Sequence, residues 1–214
     1  MDLERLKSNL AGVRQRIAAA CARAGRDPSA VMLLVVTKSV PPECIPPLAG
    51  LGVTDIGENR AVEGLARVGG LSGLRRHMIG HLQTNKVKKA LEWADVIHSV
   101  DRASLLAELG RHNKKPPLFV QVNVSGEASK GGYGSGDAEA AVREARRTHE
   151  VLGLMTMAPR GGDARACFRE LRGLAGRCGV PGLSMGMTED FEAAVEEGST
   201  CVRIGTAVFE GVLV

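Results

Sequence analysis

The sequence predicts an α/β fold, a single (β/α)8 barrel preceded by one helix. Eight short apolar runs recur along the chain, each parted from the next by an amphipathic or polar stretch. Strand–helix alternation with short links marks parallel βαβ units. A helix-like segment precedes the first run and none is read after the last, so the N-terminal helix can cover the seam where an eight-stranded sheet closes on itself. A doubly wound open sheet shows the same alternation but holds fewer strands at 214 residues.

Taken in order, the first segment carries Leu3, Leu6, Leu10, Val13, Ile17 and Ala20 at three- and four-residue steps, the period of a helix face. Gly25 closes it. The strand candidates are "VMLLVVTK" (31–38), "VTDIGEN" (53–59), "RRHMIG" (75–80), "DVIHSV" (95–100), "PLFVQVN" (117–123), "VLGLMTMA" (151–158), "GLSMGM" (182–187) and "CVRIGTAVF" (201–209). Helix-like stretches such as "RAVEGLARV", "NKVKKALEWA" and "ARACFRELRGLAGRC" lie between them. "SGEASKGGYGSGD" (125–137) is expected to be a mobile loop after the fifth strand. No linker or compositional break divides the chain, so residues 1–214 are expected to form one domain.

Composition narrows the function classes. Hydrophobic residues at 44% suffice for a full core, and charged residues at 24% for an ordinary soluble surface. Aromatics are only 3% and the net charge is +4 without long like-charge blocks, which argues against nucleic-acid binding. No apolar stretch approaches membrane-spanning length, and the charge-rich N-terminus does not resemble a signal peptide. Five scattered cysteines with no C-x-x-C fit a reducing cytoplasm better than a disulfide framework or zinc site.

The chemistry centres on Lys38, where the first apolar run ends. Alternation puts Leu34, Val36 and Lys38 on one strand face, and Cys201, Arg203 and Gly205 on one face of the last strand. The face toward the helices is apolar, so Arg203 belongs inside, with Lys38 at the C-terminal mouth where barrel active sites lie. Two neighbouring cations and partial desolvation would lower the lysine pKa and make it a nucleophile toward an aldehyde. The bland alternative is a strand-end lysine that snorkels to water. "SMGMTED" (184–190) opens a helix with Thr188 as N-cap, and "RIGT" (203–206) brings a glycine where backbone must approach something. Barrels commonly hold phosphate in the loops after strands seven and eight. An aldehyde-reactive lysine with a phosphate cradle points to pyridoxal phosphate (PLP). Asn59 in "GENR" can donate to a phenolic oxygen on a bound ring, or cap the following helix.

Six stretches, "VVTKSV", "DIGENR", "HMIGHLQTNK", "VNVSGEASKGG", "GLMTM" and "LSMGMTEDFEAAVEEGSTCVRIGTAVF", fall in order from about residue 31 to 209. Together they resemble the YggS/PROSC-like pyridoxal phosphate homeostasis proteins. The resemblance implies a barrel similar to the N-terminal domain of alanine racemase. It implies that Lys38 holds PLP as an internal aldimine, that Asn59 lies beside the ring, and that Arg203 lies near the pyridine nitrogen. Ser184, Gly186, Met187 and Thr188, with Gly205 and Thr206, match the phosphate-cradling segments. The function implied is PLP carriage and regulation, affecting intracellular vitamin B6 and amino-acid pools, without established turnover; apo-PLP enzymes are the expected recipients. The alternative is a slow PLP-dependent amino-acid racemase. The chain departs from the family at "FEGVLV", where a Gly-x-Arg-x-Tyr-like tail often continues.

Other features receive plainer readings. His77 and His81 straddle a strand end and its loop, which does not suit a metal. Lys86, Lys88 and Lys89 form a solvated helix face, and Trp93 packs a helix on the barrel exterior. Cys201 lines the interior beside Arg203 as a small hydrophobe. Lys130 is expected to be a plain loop lysine, the alternative being a second, exposed lysine that receives PLP during transfer, and Tyr133, the only tyrosine, to sit in the flexible loop. One barrel of ordinary polarity is compatible with a monomer.

Overall fold

Eight parallel strands close into a barrel in the computed structural model, which describes residues 1–127, 130–159 and 161–213. The strands are β1 (Met32–Val36), β2 (Asp55–Glu58), β3 (Arg75–Met78), β4 (Val96–Val100), β5 (Leu118–Asn123), β7 (Val151–Met155), β8 (Gly182–Ser184) and β9 (Cys201–Ile204), with a two-residue β6 (Tyr133–Gly134) beside β5. Each barrel strand pairs with the next, and β1 with β9 closes the ring: Leu34 lies opposite Arg203 and Val35 opposite Ile204. The helices are α1 (Leu3–Arg23), α2 (Pro47–Gly50), α3 (Ala61–Val68), α4 (Val87–Trp93), α5 (Ala103–Gly110), α6 (Ala138–Ala145), α7 (Ala164–Cys178), α8 (Phe191–Glu196) and α9 (Thr206–Phe209).

The seam is covered as the periodicity predicts. Leu6, Leu10, Val13 and Ile17 of α1 are buried, each contributing about 1.5–3 kcal/mol relative to exposure. Polar links place the helix between the two ends of the chain's barrel. Arg16 pairs with Glu192 at 3.1 Å, Asn9 donates to the carbonyls of Val208 and Glu210, and Arg14 donates to those of Leu51 and Gly52. Asp2 caps the helix by accepting from the Arg5 N–H, and Gly25 follows it at φ +64°.

Two expectations are corrected. The last run is not one strand to residue 209: it ends at Ile204, and α9 follows, its Val208 and Phe209 N–H groups donating to the Gly205 carbonyl. The chain turns there because Gly205 packs against β1; a Cβ on it would lie 3.0 Å from the Val36 carbonyl oxygen. The glycine-rich stretch is also tied down rather than free. Tyr133 and Gly134 pair with Val122 and Asn123, Gln121 donates to the Gly131 carbonyl, and Asn123 donates to those of Glu127 and Lys130. Residues 128 and 129 of that stretch lie outside the described residues.

Between helices and sheet the core is apolar. Trp93 is fully buried, donates to the Ala61 carbonyl, and lies over Gly64, where any Cβ would approach its ring to 2.5 Å. Lys86, Lys88 and Lys89 are exposed, as a solvated face requires. The barrel interior is different. Leu34 and Ile79 fill the space above Gly57, whose Cβ would stand 2.5 Å from Leu34, while Asp55, His77, His98, Ser184 and Arg203 make much of the rest polar and buried.

Candidate functional site

Of the residues expected to hold the cofactor, all but Arg203, which lies within β9, stand at or beyond the C-terminal ends of strands. Lys38 lies two positions past β1, in a turn, and is exposed. That turn is clamped from below. The Thr37 hydroxyl donates to Glu58 at 2.6 Å, Arg67 Nε donates to the same carboxylate at 3.2 Å, and Arg67 Nη2 donates to the carbonyls of Thr37 and Val40 at 2.7 and 2.6 Å. Glu58 is 2% exposed, so its charge depends on Arg67. Sequence reading missed this clamp. Its signal was Glu58 at the end of a short buried strand, a carboxylate that had to find a cation.

Asn59 follows β2 and is half-buried. It does not cap α3, whose cap position is Arg60, with no side chain accepting from the first turn. Gly80, after β3, presses on it: a Cβ at Gly80 would lie 2.1 Å from the Asn59 carbonyl oxygen. The loops after β2 and β3 are therefore held together at the mouth.

Arg203 is inside the barrel, as the face alternation predicts, and 5% exposed. Its partners correct the argument about paired cations. Nη1 donates to Ser184 Oγ at 2.8 Å and Nη2 to the Thr156 carbonyl at 2.9 Å. Those groups belong to β8 and to the segment after β7, on the side of β9 away from β1. The guanidinium is thus committed away from the seam, and Lys38 stands in solvent rather than desolvated beside it. Cys201 is buried below Arg203, and burial pushes its thiol up to about 11, which keeps it protonated.

The loops after β8 and β9 are neighbours because their strands pair. Gly186 is buried at φ +96°, where a Cβ would come within 2.6 Å of Ala194; the close approach is to α8 itself. Thr188 is not the N-cap. The α8 cap is Asp190, whose carboxylate instead accepts from the Met187 N–H at 2.6 Å and closes a turn over 187–190. Thr188 is half-buried in that turn, while Met187 and Thr206 are exposed. Gly205 opens α9.

Other expectations resolve as follows. Lys130 is partly buried rather than exposed, its ammonium 3.0 Å from Glu127. Tyr133 has a buried hydroxyl with no hydrogen-bond partner among the described residues. His77 and His81 do not share a site: His81 Nδ1 lies 2.8 Å from Asp101 Oδ2 at the mouth, while His77 is buried within the barrel. Among the described residues no group of three His, Cys, Asp or Glu side chains could hold a metal.

The donor set fits a phosphorylated aldehyde. It offers a primary amine in solvent at the mouth, a buried guanidinium beneath it, and two adjoining glycine-bearing loops, one with an exposed threonine hydroxyl. Gly205 brings its backbone against Val36, where a side chain would crowd the β1 carbonyl.

A barrel with such a mouth places the protein in a recognised class. The family model for the alanine racemase N-terminal domain matches residues 1–211, and the chain belongs to that family. Within it, the pyridoxal phosphate homeostasis protein of Aquifex aeolicus is 40% identical over 217 residues, covering 94% of this chain and 95% of that one. The structure of PipY from Synechococcus elongatus with PLP bound superposes with a TM-score of 0.75 at 32% identity, covering 92% of this chain and 99% of that one. Alanine racemase from Corynebacterium glutamicum shares the fold, with a TM-score of 0.75 at 17% identity; 98% of this chain covers 61% of it.

Proposed function

We propose that this chain is a PLP-binding protein of intracellular vitamin B6 homeostasis, one cofactor-binding domain over residues 1–214. The observation that carries it is the mouth itself: the exposed Lys38 amine on a clamped turn, above a buried Arg203 and beside the two loops that follow β8 and β9. The relatives support the reading, since one is called a PLP homeostasis protein and another was solved with PLP bound.

In this reading Lys38 attaches the cofactor through its aldehyde and Asn59 lies against the ring. Ser184 braces Arg203 from below. Gly186, Met187, Thr188, Gly205 and Thr206 surround the phosphate. When bound, PLP supplies an electron sink through its pyridinium ring. With the ring nitrogen against it, Arg203 would act as a permanent cation and disfavour protonation there. Among the described residues no carboxylate makes an ion pair with Arg203, and Asp190 acts on its charge only from a distance. The site therefore holds the cofactor better than it uses it, and the role is carriage to apo-PLP enzymes, with consequences for amino-acid balance, rather than turnover.

A racemase reading would need a second proton-transfer group facing Lys38. The only tyrosine has its hydroxyl buried, which does not favour it. The remaining parts of the proposal are a monomer in the cytoplasm, acting on neither nucleic acid nor membrane. Five free cysteines accord with a reducing compartment, and no helix among the described residues is long and apolar enough to cross a membrane.

The test is to load the protein with PLP, remove the excess and record the visible spectrum of wild type and Lys38→Ala. Wild type should show the band of PLP joined to an amine, and the variant should lose it. Loaded wild type should then restore an apo-PLP enzyme faster than the same protein without cofactor. Absence of a band in wild type ends the binding reading. Sustained amino-acid racemisation that disappears in Lys38→Ala would replace carriage with catalysis.

A further inference from the structure

A line of hydrogen bonds crosses the barrel interior beneath the mouth. Arg203 Nη1 meets Ser184 Oγ at 2.8 Å, and Ser184 Oγ meets His98 Nδ1 at 2.8 Å. His98 Nε2 meets His77 Nδ1 at 2.9 Å, and His77 Nε2 meets Asp55 Oδ1 at 2.8 Å. The five residues come from β9, β8, β4, β3 and β2, and none is more than 6% exposed. Asp55 opens β2 at the opposite, N-terminal face, where Thr54 and Asp55 line a cleft of about 550 Å³.

The two ends decide the direction of every bond between them. A guanidinium only donates, and a carboxylate only accepts. His77 therefore carries its proton on Nε2, toward Asp55. Being neutral, it accepts at Nδ1, so His98 also carries its proton on Nε2. His98 in turn accepts at Nδ1 from the Ser184 hydroxyl, which leaves the Ser184 oxygen to accept from Arg203. One arrangement satisfies all four contacts with both imidazoles neutral. Burial pushes both histidines below their ordinary range, His98 most, which keeps them so. The charged or titratable groups facing the pair are Asp55 and Arg75 at the lower end, Asp95 beside His77, and Arg203 above. Packing holds the geometry: the His98 ring lies 4.4 Å from Phe119 and 5.1 Å from His77, centroid to centroid.

We propose that Asp55, His77, His98 and Ser184 are positioning residues for the cofactor site, with Asp55 acting through the other three as the remote counter-charge that keeps the Arg203 guanidinium aimed. Aligned hydrogen bonds polarise one another in a low-dielectric interior, so the carboxylate at the far face strengthens the acceptor that Ser184 offers to Arg203. Thr54 and Arg75 hold Asp55 in place, donating to its carboxylate at 2.6 and 2.8 Å. The effect on bound PLP rests on the function proposed above; the alignment itself belongs to the protein alone.

The test has two arms. In the protein without cofactor, nitrogen-15 NMR of the histidine side chains should show His77 and His98 as Nε2–H tautomers, with His98 unchanged from pH 8 to 5.5. Asp55→Asn removes the charge without changing shape, and should destroy the single tautomer at His77. In the PLP-loaded protein, Asp55→Asn and His77→Phe should move the pH midpoint of the visible band in the same direction, by about half a pH unit or more, while the band stays dependent on Lys38. A role in stability alone would lower the melting temperature and leave that midpoint in place, which overturns the proposal. An Nδ1–H tautomer at His98, or ordinary titration near pH 6.5, overturns it in the first arm. If wild type does not take up PLP, the cofactor reading fails and the NMR arm alone decides the alignment; if either variant does not fold, the wild-type tautomers decide it.

Discussion

Lys38 works from a turn that its neighbours hold still. Glu58 and Arg67 build the clamp beneath it, and Arg67 alone reaches two carbonyls of that turn as well as the carboxylate. Arg67→Ala strands a buried charge and should cost about 3–5 kcal/mol in urea unfolding. Glu58→Gln keeps an acceptor for Thr37 and should cost less, about 1–2 kcal/mol. Both should weaken PLP uptake in a titration followed at the visible band, because the amine loses its fixed approach. Normal uptake in a folded Arg67→Ala protein would show that the turn needs no clamp. Lys38 and Asn59 were legible because strand ends are visible as the limits of apolar runs. The clamp was not, because Arg67 finds Glu58 only after β2 and α3 have packed.

Loops after β8 and β9 show how an element can keep its residues and change their roles. Thr188 matched a cap pattern, but Asp190 turns back to the Met187 N–H and delays the helix to Phe191. Gly186 matched a phosphate loop, yet its nearest constraint is Ala194 of α8. Gly186→Ala should therefore destabilise by about 1–3 kcal/mol, from positive φ and overpacking together. Gly176 offers the contrast. It lies within α7 with open space where a Cβ would go, so Gly176→Ala should stabilise by about 0.4–1 kcal/mol. Thermal or urea unfolding of the two variants measures both. The same sign for both would mean that local space does not govern these positions.

Across the whole molecule, the polar barrel interior makes stability depend on pH. Burial raises the Asp55 carboxyl, but hydrogen bonds from His77, Thr54 and Arg75 outweigh it and hold the group at about 2. A depressed carboxyl contributes above its unfolded value near 3.9, and the contribution, about 2 kcal/mol, is lost as pH falls from there toward 2. The histidines act earlier. His77 and His98 are held below their ordinary range, chiefly by burial, and His149 moves the same way through burial and the Lys115 charge. Each is favoured neutral in the fold. Each therefore contributes fully above an unfolded value near 6.5 and loses up to about 1.4 kcal/mol per pH unit as pH falls below it. Urea unfolding from pH 7.5 to 4.5 should show stability declining from about pH 6.5 downward, before any carboxylate effect. A flat profile between pH 7 and 5 would mean that the buried imidazoles titrate as they do in the unfolded chain.

The sequence by itself determined the eight strands, the covering helix, the inward face of Arg203 and the positions of Lys38 and Asn59. These follow from local periodicity and from where apolar runs stop, which are properties of neighbouring residues. Tertiary structure alone decided which way Arg203 leans, how far Lys38 is exposed, and that His77 and His98 meet across the barrel. In the sequence His77 had only His81 as a candidate partner, and His98 had none. Their partnership depends on strand register and on closure of the ring, which place residues 21 positions apart within 2.9 Å. No spacing along the chain encodes that distance; the closed sheet sets it.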